Sequence, residues 1–143
     1  MWEVVKLLPT KEEWTAALAG RHGAENQKRF QNATVAICGL GGLGSGIATV
    51  LARAGIGKLV LIDFDQVDLT NLHRQQYRVS QIGMYKTEAL ANNLRQINPY
   101  VELETHTFKI TEENTELILH EADIICEAFD DAKTKINADR SGA

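Results

Sequence analysis

The feature that most restricts the fold of this chain is a cluster of glycines, five of its 11 falling between Gly39 and Gly46. Directly before them stands Thr34-Val-Ala-Ile-Cys38, a β-rich apolar run of the kind buried on both faces of a parallel sheet. Directly after them, Gly46-Ile-Ala-Thr-Val-Leu-Ala-Arg-Ala-Gly55 reads as a helix stopped by glycine. Within the cluster, Gly39-Leu-Gly41-Gly42-Leu-Gly44 satisfies G-x-G-x-x-G, a pattern with physical meaning only between a strand and a helix. There the chain must turn sharply while its backbone approaches an anion. A Cβ at Gly41 or Gly42 would obstruct that approach, and a helix beginning near Leu43 offers unpaired N–H groups and a partial positive charge. The alternative is a tight turn with close helix-strand packing and no ligand; the density of glycine favours a nucleotide.

Lys58 to Asp63 forms a second apolar strand pattern, and Asp63 lies 19 residues beyond Gly44. An acidic side chain at that register accepts hydrogen bonds from ribose hydroxyls. This points to a nucleoside and leaves adenylate chemistry and NAD binding both open. Asp65 would share a face with Asp63 if the strand continued; it is either a second polar group of the site or a solvated turn residue. From Phe64 to Gly83 the chain is polar, irregular and long for a connection inside a compact domain.

Thr10 and Glu13 form a capping-box start, with a glycine stop at Gly20, and a second helix spans about Ala24 to Gln31. A helix from about Tyr85 to Ile97 stops before Pro99, and an alternating strand covers Val101 to Phe108. Thr111 to Leu119 reads as helix, Ala122 to Phe129 as another buried strand, and Asp130 to Asp139 as a last helix. The order after residue 33 predicts an α/β, Rossmann-like, doubly wound, mainly parallel sheet. Residues 1–33 form an N-terminal helical segment ahead of a nucleotide-binding domain over 34–143.

Composition narrows the class. With 143 residues, 44% of them apolar, the chain can bury a core without disulfides. Its two cysteines, Cys38 and Cys126, sit inside apolar runs, which suggests inert core thiols in a reducing compartment. No apolar run approaches membrane-spanning length and no secretory leader pattern is present, so a cytoplasmic protein is expected, with no membrane partner. A net charge of −4 argues against a broad nucleic-acid footprint. The four histidines show no metal-ligand spacing.

The stretch Asp63-Phe-Asp65-Gln-Val-Asp-Leu-Thr-Asn71-Leu-His-Arg74-Gln75 resembles the D-x-D-x-V-x-x-x-N-L-x-R-Q motif of the ThiF/MoeB/HesA family, the bacterial relatives of ubiquitin-activating enzymes. The likeness extends through the glycine loop, Ile82-Gly83-x-x-Lys86, Ile97-Asn98-Pro99 and Ala128-Phe-Asp130, from about residue 21 to 137. It looks most like the shorter ThiF-type proteins of thiamine biosynthesis. The resemblance implies adenylation of the C-terminal carboxylate of a ubiquitin-like, ThiS-like sulfur carrier by ATP, and a homodimer. It places Asn71, Arg74, Gln75 and Lys86 around the triphosphate, and magnesium on Asp130. Arg74 has a fork of donors suited to phosphate oxygens, Lys86 is a point charge, and a hard cation needs oxygen ligands.

An NAD-dependent oxidoreductase would use the same glycines and Asp63, but leaves Arg74, Lys86 and Asp130 without a role. A non-catalytic nucleotide-binding remnant is a further alternative. Relatives of this family continue with more strands, a loop that can carry a reactive cysteine, and often two C-x-x-C pairs for zinc. This sequence has no C-x-x-C, so it is expected to be incomplete at its C-terminus relative to the family, without structural zinc. The family's N-terminal R-x-x-R-Q segment has no clear match, Arg21 being the nearest substitute.

Overall fold

The computed structural model describes residues 8–129. Its elements are α1 (Lys11–His22), α2 (Ala24–Asn32), β1 (Thr34–Cys38), α3 (Gly42–Ala54), β2 (Lys58–Ile62), α4 (Lys86–Ile97), β3 (Glu102–His106), α5 (Thr115–Leu119) and β4 (Ile124–Glu127). Two single 3-10 turns, Leu69–Asn71 and Val79–Gln81, interrupt the connection from β2 to α4. The four strands are all parallel, in the order β3-β2-β1-β4.

Alternation along the strands divides the core between two faces. Val35, Ile37, Leu59 and Leu61 pack with Ala48 and Ala52 of α3 and with Leu90 and Leu94 of α4. Ala36, Cys38, Val60 and Ile62 point the other way, against Ile110, Ile118, Leu119 and Phe129. The doubly wound α/β architecture expected from the order of elements is therefore the one observed.

Local chemistry sets most element ends. Thr10 and Glu13 form the reciprocal capping box. The helix does not stop at Gly20, however. It runs on to Gly23, whose φ of 89° lets its N–H turn back to the Ala19 carbonyl at 2.8 Å. Gly55, at φ 92°, closes α3 as read from sequence. A Cβ there would lie 2.6 Å from Leu18 Cδ1, and one at Gly57 would lie 1.8 Å from the Gln31 carbonyl. The two N-terminal helices are seated on those bare positions. Past α4, Asn98 is extended ahead of Pro99, and its Nδ2 donates to the Ala52 carbonyl at 3.1 Å, tying the end of α4 to that of α3.

Two further expectations need correction. Thr111 to Asn114 is not helical: Thr111 N–H donates to Asn114 Oδ1 at 2.8 Å and Asn114 N–H to Thr111 Oγ1 at 3.3 Å, side-chain bonds that compete with helix. The last strand was expected to be buried, yet Ile124 and Ile125 are 56% and 42% exposed. Among the described residues it pairs only with β1, at one edge of the four-stranded sheet. The helix expected over Asp130 to Asp139 lies outside the described residues.

Cys38 and Cys126 are both free thiols. Cys38 is buried, and burial, with lesser help from the Glu127 charge, pushes its thiol up to about 12. Cys126 is half-buried. Among the described residues, no helix is long and apolar enough to cross a membrane.

Candidate functional site

β1 and β2 end level with each other, Cys38 beside Ile62, so the chain leaves both strands at one rim of the sheet. From Cys38 it enters the glycine bend. Gly39 takes φ 96°, and its N–H donates to the Ile62 carbonyl at 2.9 Å. A Cβ on Gly39 would stand 2.7 Å from the Ala128 carbonyl oxygen, and one on Gly44 would stand 1.7 Å from that of Gly39. Gly41 is the N-cap of α3. The first intrahelical bond runs from Ser45 N–H to the Gly41 carbonyl at 2.9 Å, so the N–H groups of Gly42, Leu43 and Gly44 have no acceptor within the helix. These are donors of the kind the sequence pattern implied.

The bareness of Gly42 serves a contact that the pattern did not reveal. A Cβ there would lie 2.9 Å from the Arg74 carbonyl oxygen, because the connection after β2 folds back over the bend. Tyr77 fastens it there, donating from its hydroxyl to the Leu40 carbonyl at 2.5 Å. Neither Tyr77 nor Ser45, whose Oγ donates to the Gly41 carbonyl at 2.6 Å, was picked out from sequence. Tyr77 carried a signal: it is the lone aromatic between Phe64 and Tyr85, and a buried tyrosine hydroxyl seeks an acceptor.

Asp63 follows the last residue of β2 and is buried. Its Oδ2 accepts the Leu40 N–H and its Oδ1 the Asp65 N–H, each at 2.7 Å. Burial pushes its carboxyl above the ordinary range, and those two N–H donors and the Lys86 charge pull it back. The strand does not continue to Asp65, which is exposed. Its carbonyl accepts the Lys86 N–H at 3.0 Å, next to a bridge between Gln66 and Tyr85. Lys86 opens α4 and is only 5% exposed. A buried cation at a helix N-terminus is unfavourable unless a negative group answers it, and Asp63 is one charge it meets.

Asn71 Oδ1 accepts from Arg74 Nη2 at 2.9 Å, with the arginine exposed. Gln75 is buried, and its Oε1 has no hydrogen-bond partner among the described residues. The structure thus gathers the bend, Asp63, Arg74 and Lys86 at one rim through backbone contacts. Asp130 lies outside the described residues. Among those described, no group of three or more His, Cys, Asp or Glu is placed to hold a metal ion.

Comparison with known proteins agrees with this fold. A profile of the ThiF family matches residues 15–140. The chain is 38% identical over 114 residues to an adenylyltransferase and sulfurtransferase MOCS3 of Anopheles gambiae, covering 79% of this chain and 26% of that protein. It is 46% identical over 95 residues to a ubiquitin-like modifier-activating enzyme 5 of Drosophila pseudoobscura pseudoobscura, covering 66% of this chain and 24% of that one. Among solved structures, E. coli tRNA N6-threonylcarbamoyladenosine dehydratase, TcdA, in complex with ATP superposes with a TM-score of 0.84 at 29% identity, covering 92% of this chain and 56% of that one. The same enzyme has been solved with AMP. The chain therefore spans about a quarter of these curated relatives and about half of the structural neighbour. A family profile matched over most of the length, on a fold and glycine bend of this kind, shows that the chain belongs to the ThiF family.

Proposed function

We propose that this chain is the nucleotide-binding part of an adenylyltransferase that activates a carboxylate with ATP. The observation that carries the reading is the convergence of Gly42 and the Arg74 backbone at the rim where Asp63 meets Lys86. A carboxylate oxygen of the acceptor attacks the α-phosphorus, the bond from that phosphorus to the bridging oxygen breaks, and pyrophosphate departs from an acyl-adenylate. The chain forms no bond to substrate in this step, so its contribution is alignment and charge stabilisation.

In this reading the N–H groups opening α3, with Arg74 and Lys86, face the polyphosphate. Asn71 steadies the guanidinium, Gln75 offers an amide, and Asp63 with Asp65 receives the ribose hydroxyls. Each oxygen of Asp63 already accepts one N–H and keeps lone-pair capacity for a further donor. Asp130 is assigned magnesium by family resemblance; the ion, when bound, neutralises charge on the departing pyrophosphate. The acceptor proposed is the C-terminus of a ubiquitin-like sulfur carrier, ThiS-like and in thiamine or related biosynthesis, with the enzyme a homodimer. The relatives named for ubiquitin-like modifier activation support a carrier of that general kind. A second reading, favoured by the TcdA likeness, has the acceptor carboxylate on a modified tRNA nucleoside.

The test is ATP–pyrophosphate exchange with the carrier, or with tRNA, as the stimulating acceptor. Arg74→Ala, Lys86→Ala and Asp130→Ala are each expected to lower exchange by about 100-fold. Stimulation by tRNA alone would select the second reading. Hydride transfer from NADH without exchange would replace the proposal with an oxidoreductase, and ATP binding without exchange would replace it with a non-catalytic nucleotide-binding module.

A further inference from the structure

The segment bearing Arg74 and Gln75 is held from behind by two buried amides that have no part in the chemistry above. Gln81, in the second 3-10 turn, and Asn93, on α4, are 7% and 8% exposed. Gln81 Nε2 donates to Asn93 Oδ1 at 2.7 Å and to the Ala89 carbonyl at 3.2 Å. Asn93 Nδ2 returns a bond to Gln81 Oε1 at 3.1 Å and donates to the Gln76 carbonyl at 3.2 Å. Arg78 N–H also donates to Gln81 Oε1, at 3.0 Å. Gln81 thereby uses both its donors and accepts twice. Asn93 uses both donors and accepts once.

So complete a set in a buried place admits one arrangement, because each lost partner would leave a desolvated polar group. It also fixes a backbone point next to the site. The Gln76 carbonyl follows Gln75 directly, and Gln76 Oε1 lies 3.0 Å from Thr49 Oγ1 of α3, sharing that hydroxyl's one proton with the Ser45 carbonyl at 2.8 Å. Residue 76 is thus tied to α3 through Thr49 and to α4 through Asn93. Asn93 lies seven residues after Lys86, two turns along the same helical face. The clasp joins the segment that presents Arg74 to the helix that presents Lys86.

We propose that Gln81 and Asn93 are positioning residues that set the separation of Arg74 and Lys86, so that the two cations address one polyphosphate chain. The role deepens the proposed function and rests on it. It predicts discrimination between nucleotides: ATP, which reaches both cations, depends on the clasp, and AMP, held mainly by the bend and Asp63, does not.

The experiment uses the full chain, with Asn93→Leu, Gln81→Met and the double variant, titrated calorimetrically with ATP and with AMP. Amide hydrogen exchange over residues 74–81 is followed in parallel. Each single variant is expected to weaken ATP about tenfold, leave AMP within about twofold, and speed exchange of the segment about tenfold. The double variant removes both polar partners together, which relieves the buried groups they would orphan in each other. It is expected to melt closer to wild type than either single variant while still lacking the ATP preference, a split that general destabilisation does not produce. If a single variant does not fold, the double variant carries the test. A double variant that keeps the wild-type ratio of ATP to AMP affinity, equal losses for both nucleotides, or unchanged exchange over 74–81 overturns the positioning role alone. Wild type that binds neither nucleotide overturns the functional reading and this proposal with it.

Discussion

β2 carries a charge at each end, and the two ends accommodate it differently. At its start, Lys58 reaches Glu104 and Glu121, each at 3.2 Å, and Glu104 also meets His106 at 2.7 Å. The carboxylates of that cluster are open to water. Past its end, Asp63 is buried, and both its oxygens are held by backbone N–H groups. The two carboxyls shift in opposite senses: the His106 hydrogen bond, opposed by burial and helped by Lys58, lowers Glu104, whereas burial raises Asp63. Surface pairs of the first kind contribute about 0–1 kcal/mol, whereas each hydrogen bond to a charged group contributes about 1.5–3 kcal/mol. At the glycine-bend rim directed backbone bonds offset the burial of Asp63, whereas at the start of β2 the Lys58 charge is met by side chains open to water.

The most severe way to probe this contrast is Gly44→Ala, whose Cβ would meet the Gly39 carbonyl at 1.7 Å. The expected loss is about 3 kcal/mol or more, seen as a fall in Tm of about 10 °C or the absence of a cooperative transition. A wild-type Tm would break the claim that the bend is rigidly packed. Asp63→Ala comes next, since it strands the Leu40 and Asp65 N–H groups. Denaturant unfolding should show a loss of about 2 kcal/mol.

The pH dependence sharpens the comparison further. Because the folded carboxyl of Asp63 lies above its unfolded value, the stability it contributes is full below about pH 4 and is lost as pH rises through the raised folded value. Subtracting the Asp63→Asn unfolding free energy from that of wild type should give a difference that falls with rising pH; a rising difference would reverse the argument. Glu104 has the opposite sign, its contribution being lost as pH falls through its lowered value. The smallest effect belongs to Lys58→Met, expected to cost less than about 1 kcal/mol and to shrink further in 0.5 M salt. A loss of about 2 kcal/mol would make the two ends alike.

What could be read from sequence was local. The Thr10 capping box, the glycine stop at Gly55, the limits of β1 and the extended Asn98 before Pro99 all follow from short-range chemistry, and each matches the structure. The exposure of β4 was not legible, because an apolar run announces a strand without saying whether it has one neighbour or two. Gly20 misled for a related reason. A Cβ is uncrowded at both Gly20 and Gly23, and only Gly23 takes the positive φ at which the helix turns, a difference of backbone conformation that residue type alone does not show. At the candidate site, the motif residues were recognisable by type and spacing. Their mutual support was not. The Arg74 carbonyl over Gly42, the Tyr77 hydroxyl on Leu40 and the Gln81–Asn93 pair join residues distant in sequence, and periodicity carries no trace of such contacts.

The position of β1 between β2 and β4 also orders events in time. Its last neighbour comes late: Thr34 N–H donates to Asp123 Oδ2 across 89 residues at 2.8 Å, and the side of Gly39 where a Cβ would project is closed by the Ala128 carbonyl. Contacts of such long reach are slow to form, and a nascent chain emerges from its N-terminus first. A ribosome-bound chain that has laid down everything through β3 still has one wall of the glycine pocket missing. The last described strand is the latch, and the side of the glycine bend next to Gly39 closes only when it docks.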